Sequence, residues 1–288
     1  MILMDKRIYS KWLVVPSVLV YGIFFLLPTL LSFFFSMTIW NLTEWHFTGF
    51  DNFLMFFREP SLLISIQNTL IYAVLTCVSK TIVALLVAIM LATKLPTRNF
   101  LRSMIFFPTI ISTVAVGIVF SSMMHPSRGL INSALAVIGI QGPDWLGNPN
   151  LALYSVILVD LWRGIGMAMM IYLAGIIAIP AEYGEALAVD GGNALDKFRH
   201  ITLPLLRSSM NSVIILSFIG GLRSFDLIWA MTGGGPGFST EILSSLVYKQ
   251  YISGFYGLST AGNIIMLALV ALLAMPLQAW LTKREVEL

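Results

Sequence analysis

Charge is scarce in this chain: Asp, Glu, Lys and Arg make up 11% of its 288 residues, against 58% hydrophobic. That balance excludes a water-soluble globule, because apolar surface on such a scale would aggregate. Cysteine occurs once, at Cys77 inside an apolar run, which excludes an internal disulfide and a cysteine metal cluster. The three histidines, His46, His125 and His200, fall on separate polar stretches. No His-Glu-x-x-His, Gly-x-Ser-x-Gly or Gly-x-x-x-x-Gly-Lys-Ser/Thr pattern is present. Catalytic residues, a metal site and a nucleotide site in this chain are therefore not expected. Also missing are a polar segment long enough for a soluble domain and an inverted repeat of interrupted spans of the secondary-transporter kind.

What the chain has is apolar length, with a mean hydropathy of +0.88. A bilayer core takes about 20 apolar residues per helical span, and a helix satisfies its own backbone there. Six spans are predicted, at about 12–40, 68–92, 103–124, 151–178, 207–231 and 259–281, within one domain over 1–288. The first exceeds the hydrophobic region of a signal peptide and is read as retained, with room to tilt or to break near Pro28. Stretches 41–61 and 125–150 mix Trp, Gly, Pro and Asn and read as short interfacial helices and turns. Six spans put both termini on one side. Lys6, Arg7, Lys11, Lys94, Arg98, Arg102, Lys197, Arg199, Arg207, Lys283 and Arg284 share that side, against Arg58, Arg128 and Lys249 opposite, so both termini are expected in the cytoplasm. The net charge of +3 calls for no nucleic acid.

One island interrupts the oil. Residues 182–204, "EYGEALAVDGGNALDKFRHITLP", carry eight titratable groups between two apolar runs. Tyr183 and Leu187 share a helical face, Gly191 and Gly192 allow a sharp reversal, and Leu195, Phe198 and Ile201 line one side of a second short helix that Leu203 and Pro204 are expected to stop. Such a helix-turn-helix with one apolar ridge is too short to fold alone and is shaped to dock.

Inside the spans, polar residues fall in stripes. Asp160, Arg163, Gly164 and Met167 form one at i, i+3, i+4 and i+7, and Ser217, Gly220, Gly221 and Ser224 form another. Intramembrane charge is costly and faces a bundle interior or a watery cavity. Two arrangements fit. In one, Asp160 pairs with Arg163 or Arg223, Asp226 pairs likewise, and the small residues are helix contacts. In the other, the stripes form a polar groove for a solute, with Arg163 offering a planar fork and the glycines leaving room. Lys80 lacks a partner stripe of this kind and reads as a snorkelling or pore-lining residue.

The loop has a pattern: Glu185, Ala186, Asp190, Gly191, then Ile201, one residue, Leu203 and Pro204. It resembles the EAA loop of ABC importer permeases, departing at Leu187, where the pattern has Ala, and at Gly192, usually Ala. "DLWRGIGMAMMIYLAGIIAIPAEYGEAL" and "SFIGGLRSFDLIWAMTGGGPGFSTE" likewise resemble the fourth and fifth spans of the maltose and glycerol-phosphate class of sugar permeases. The resemblance implies an all-α membrane protein of six transmembrane helices with the type I ABC importer permease (MetI-like) fold and a cytoplasmic coupling helix. It also implies a second homologous permease subunit, two ABC ATPase subunits that bind ATP and Mg, an extracytoplasmic solute-binding protein and a bacterial or archaeal cell membrane. Glu185, Ala186, Asp190, Gly191, Phe198, Ile201, Leu203 and Pro204 would then meet the ATPase. Substrate contacts would fall on Arg163, Gly164, Met167, Ser217, Gly220, Gly221 and Ser224, with Asp160, Arg223 and Asp226 either in the pathway or in ion pairs. An oligosaccharide is the expected cargo; glycerol 3-phosphate or another polar solute of the same class is the alternative, and a stand-alone secondary transporter leaves the loop pattern without a reason.

Overall fold

The computed structural model describes residues 11–93 and 95–283; Lys6, Arg7, Lys94 and Arg284, counted above for orientation, and the side chain of Lys11 lie outside them. The chain runs through α1 (Val15–Ser36), a hairpin of β1 (Thr38–Trp40) and β2 (Trp45–Phe47), α2 (Asp51–Phe57) and α3 (Leu62–Ala92). There follow α4 (Arg98–Ile110), α5 (Thr113–Met123), α6 (Leu130–Val137), α7 (Ala152–Ala178), α8 (Ala181–Val189), α9 (Ala194–Leu205) and α10 (Arg207–Leu222). The last three are α11 (Asp226–Met231), α12 (Leu243–Ile252) and α13 (Tyr256–Thr282). Among the described residues, α1, α3, α7 and α13 are each long and apolar enough to cross a bilayer, and two bent pairs, α4 with α5 and α9 with α10, raise the number to six if each pair is one span.

The bends depart from the straight spans expected at 103–124 and 207–231. The helices α4 and α5 meet at 98°. Pro108 removes a backbone donor in the last turn of α4, and Ile111 and Ser112 then run with ψ of 143° and 129°, outside helical values. The helices α9 and α10 meet at 65°, and α10 itself ends at Leu222, so that residues 223–225 separate it from α11. Leu203 and Pro204 do not stop the second loop helix as expected. Phe198–Thr202 forms a wider turn in which the Leu203 N–H reaches the Phe198 carbonyl, and Pro204 opens the next helical turn, where a missing N–H costs nothing.

The chain divides into two compact units, residues 1–59 with 247–266 and residues 60–246 with 267–288. In the first, β1 and β2 pair antiparallel with Thr38 opposite Phe47. Asn52 anchors the hairpin to the end of α1: its buried side-chain amide donates to the carbonyls of Ser36 at 2.8 Å and Thr38 at 2.7 Å. Gln250 donates to the Glu59 carboxylate at 2.9 Å and Ser259 to the Val247 carbonyl at 3.0 Å. The apolar side chains of α1 are exposed around its circumference, as suits a helix whose solvent is lipid.

In the second unit α3 lies against α7. Ala84, Ala88 and Leu91 pack with Ala168, Met169, Tyr172 and Leu173, joined by Leu206 and Val213. Small residues let these backbones approach where lipid supplies no hydrophobic drive for association. A second cluster gathers Val116, Leu153, Val156, Leu227 and Ile228 around Tyr72. Gly117 of α5 lies under α11, where a Cβ would fall 2.6 Å from that of Ala230.

The stretch 125–150 is held by one side chain. Asn132 on α6 donates to the carbonyls of Pro126 at 2.9 Å and Pro143 at 3.0 Å, and accepts the Trp145 indole N–H at 2.7 Å. Removing it leaves two carbonyls and an indole donor in a partly buried site without this partner, at about 0.5–1.5 kcal/mol for each bond lost. Asn132→Ala is therefore expected to lower the thermal unfolding midpoint of the detergent-solubilised protein by several degrees and to shift the Trp145 emission to the red.

Candidate functional site

The intramembrane stripes meet at a cavity of about 200 Å³. Helix α7 contributes Arg163, Gly164, Met167, Ala168 and Ile171, and α10 contributes Val213, Leu216, Ser217 and Gly220. Both sets repeat at helical spacing, so each is one face. Lys80 from α3 and Thr109 from α4 complete the wall. At Gly220 a Cβ would meet nothing within 4 Å, so the missing side chain is open space.

Lys80 explains the floor of this cavity. Its Nζ lies 2.7 Å from Asp160 Oδ2, with side chains 13% and 12% exposed. The pairing of Asp160 with Arg163 or Arg223 is thus replaced by one with Lys80, a residue that had been read as snorkelling or pore-lining. The lysine passes close over Gly164: a Cβ there would fall 2.6 Å from Lys80 Cε and 2.8 Å from Nζ, so a side chain at this position would make the lysine shift on its way to the carboxylate one turn away. Arg163 keeps its place on the wall without an ion pair among the described residues, and its Nε is buried with no hydrogen-bond partner. Its carbonyl accepts the Thr109 hydroxyl at 3.0 Å.

Five of the seven residues expected on the pathway, Arg163, Gly164, Met167, Ser217 and Gly220, line this one cavity. The other two lie elsewhere. Gly221 packs on α3, where a Cβ would be 2.6 Å from Ala73 Cα, and the Ser224 carbonyl accepts the Ser244 hydroxyl. Arg223 and Asp226 are exposed and form no salt bridge among the described residues. Lys80 and Thr109 had not been placed at the site. The signal for Lys80 was charge alone: Asp160 is the sole carboxylate in α3, α7 and α10, and a cation in a span calls for a partner.

The loop 182–204 is two short helices joined by a tight turn. Gly191 takes a φ of +77°, and the Gly192 N–H reaches back to the Leu187 carbonyl at 2.9 Å, which closes α8 with a Schellman-type cap. Asn193 opens α9 with a capping box: its side chain accepts the backbone N–H of Leu195 and Asp196, while Asp196 accepts that of Asn193 at 3.0 Å. Glu185, Ala186, Asp190 and Gly191 are exposed; Phe198, Ile201, Leu203 and Pro204 are half-buried. The two departures from the loop pattern, Leu187 and Gly192, belong together: a Cβ on Gly192 would sit 2.5 Å from Leu187 Cγ. A larger residue at the first position is matched by the loss of a methyl at the second.

With this geometry in place, the chain can be set beside known proteins. Residues 80–286 match the family of binding-protein-dependent transport system inner membrane components, and the chain belongs to that family. It is 31% identical over 260 residues to a trehalose/maltose transport system permease of Thermococcus litoralis, covering 90% of this chain and 88% of that one. It is 32% identical over 281 residues to a multiple sugar-binding transport system permease of Streptococcus mutans, covering 96% of each. In fold it is similar to a chain in the crystal structure of a bacterial ABC transporter involved in the import of the acidic polysaccharide alginate, with a TM-score of 0.83 at 22% identity over 94% of both chains. The protein is an ABC transporter permease component and a membrane protein.

Two outcomes are expected from this geometry. Asp160→Asn leaves Lys80 charged and unpaired in a mostly buried site and should destabilise the solubilised protein by about 3–5 kcal/mol, whereas Lys80→Met with Asp160→Asn should recover most of the loss in thermal melts. For the loop, Gly192→Ala should be destabilising alone and nearly neutral when combined with Leu187→Ala. A double-mutant cycle on unfolding would read a coupling of about 1 kcal/mol, and a coupling of zero would remove the link between the two positions.

Proposed function

We propose that this chain is one half of the translocation pathway of an ATP-driven saccharide importer. It would span the membrane six times, each bent pair counted as one span, with both termini and the loop 182–204 in the cytoplasm. A second, homologous permease subunit completes the pathway, two ATPase subunits drive it, and an extracytoplasmic solute-binding protein delivers the cargo. ATP and Mg belong to the ATPases; this chain carries out no chemistry.

The observation that carries the reading is the convergence of Arg163, Gly164, Met167, Ser217 and Gly220 on one cavity between spans four and five. A hollow of this make-up suits a sugar ring: hydroxyl and guanidinium groups answer ring hydroxyls, while Met167, Ile171 and Leu216 cover ring C–H faces. Sugar permeases among the relatives support the same cargo class. Glycerol 3-phosphate is less well served. A phosphate group wants several convergent cations, and of the two cations on this wall Lys80 is already neutralised by Asp160.

In the loop, exposed Glu185 and Ala186 with the ridge of Phe198 and Ile201 form the ATPase-coupling surface, and Asp190 and Gly191 set its turn. Because α9 runs through Leu203 and Pro204 to a bend at Leu206, a tilt of the loop would be passed to α10, which carries Ser217 and Gly220. The test separates the two ends of that lever. Glu185→Lys should abolish co-purification of the ATPase subunits. Arg163→Ala should leave the ATPase bound and reduce transport at least tenfold, as expected for the loss of about 1.4 kcal/mol or more of binding. Retention of both ATPase and transport in both variants would reject the assignment.

A further inference from the structure

One formal charge is left over in the membrane cavity. Two cations, Lys80 and Arg163, line it, and Asp160, behind Lys80 at 2.7 Å, cancels one of them. Arg163 remains, with no salt bridge among the described residues and a buried Nε that has no hydrogen-bond partner. A guanidinium offers donors only and has no acceptor of its own. A cation on a largely apolar wall with no counter-ion is costly, and an incoming anion lowers that cost most. Asp160 Oδ2 is engaged by Lys80, and the Arg163 carbonyl accepts the Thr109 hydroxyl at 3.0 Å. Across the hollow, Ser217 on α10 adds a hydroxyl, and Gly220 leaves the space beside it empty.

The size and sign of the residual charge narrow the ligand. A phosphate monoester carries about −1.5 to −2 at neutral pH and would overshoot a single guanidinium. A carboxylate carries one charge, is planar, and accepts the two parallel N–H bonds of the arginine fork. With about 200 Å³ available, one ring bearing such a group fits better than a chain of them.

We propose that the cavity is an acid-recognising subsite, in which a uronate ring of the transported saccharide docks its carboxylate on Arg163 while Asp160 holds Lys80 out of the contact. This rests on the cavity being part of the substrate pathway, as argued above. It assigns Arg163 to charge selection rather than to hydroxyl binding, and it gives the Lys80–Asp160 pair a second role, keeping the hollow at a charge of one.

The test uses the whole importer in nanodiscs without the solute-binding protein, whose own selectivity would otherwise enter. Saturation-transfer NMR titrations with D-glucuronate, its methyl ester and D-glucose report weak binding directly, and co-elution with the ATPase subunits reports assembly of each variant. Glucuronate should bind at least about tenfold more tightly than the uncharged ester, a ratio equivalent to about 1.4 kcal/mol. Arg163→Gln should bring that ratio to about one, and Arg163→Lys should keep part of it. Equal affinities in the unsubstituted complex, or a ratio that survives Arg163→Gln, would overturn the acid preference. Gly220→Leu, which fills the hollow, separates this from failure of the site itself. If it removes binding of all three sugars while no acid preference exists, the pathway stands and the charge assignment falls; if all three bind as before, or if the unsubstituted complex binds none of them, both fall.

Discussion

The Lys80–Asp160 ion pair joins α3 to α7 inside apolar helices, and the arrangement of the site follows from it. Each charge would be costly alone there, because burial strips it of water and the partner offsets that loss. The lysine runs close over Gly164, where a Cβ would make it shift. Arg163, one turn further along α7, forms no salt bridge among the described residues and lines the cavity.

Around that pair the helices close by small residues rather than by large ones. Ala84 and Ala88 meet α7, Gly221 meets Ala73, and Gly117 meets Ala230. Close backbone approach is the main source of attraction open to helices in lipid, whose tails are as apolar as leucine. Polar side chains of α3 fasten the irregular backbone that follows α11. Asn68 donates to the carbonyls of Phe238 and Glu241 at 3.0 and 2.9 Å, and the Leu243 N–H donates to Thr69 at 2.9 Å, so the irregular segment after α11 is fastened to α3. Irregular backbone at this depth persists only where protein satisfies it.

The loop and the cavity share a mechanical element. Helix α9 continues through Pro204 because a widened turn precedes it, and the bend falls at Leu206, which is fully buried among α3, α7 and α10 side chains. A buried pivot between an exposed helix pair and a cavity-bearing helix is a means of moving one with the other, since packed interfaces shift between discrete arrangements rather than deforming smoothly.

Much of this was legible in the amino-acid order. Apolar length identified the membrane helices, the Glu185, Gly191 and Leu203-Pro204 spacing pointed to the family, and the period of the stripes brought Arg163, Gly164, Met167, Ser217 and Gly220 to one face each. These are local properties, and local periodicity survives in the fold because a helix preserves it. What only the tertiary structure decided was which side chains meet across helices. Asp160 joined Lys80, eighty residues away, because α3 packs along α7. Gly220 and Gly221, adjacent in one stripe, separated into cavity and packing contact because neighbours on a helix point about 100° apart. The bend angles at Ile111–Ser112 and Leu206 were likewise settled in the fold, since a sequence window records apolarity and a proline but not the direction in which the next helix leaves.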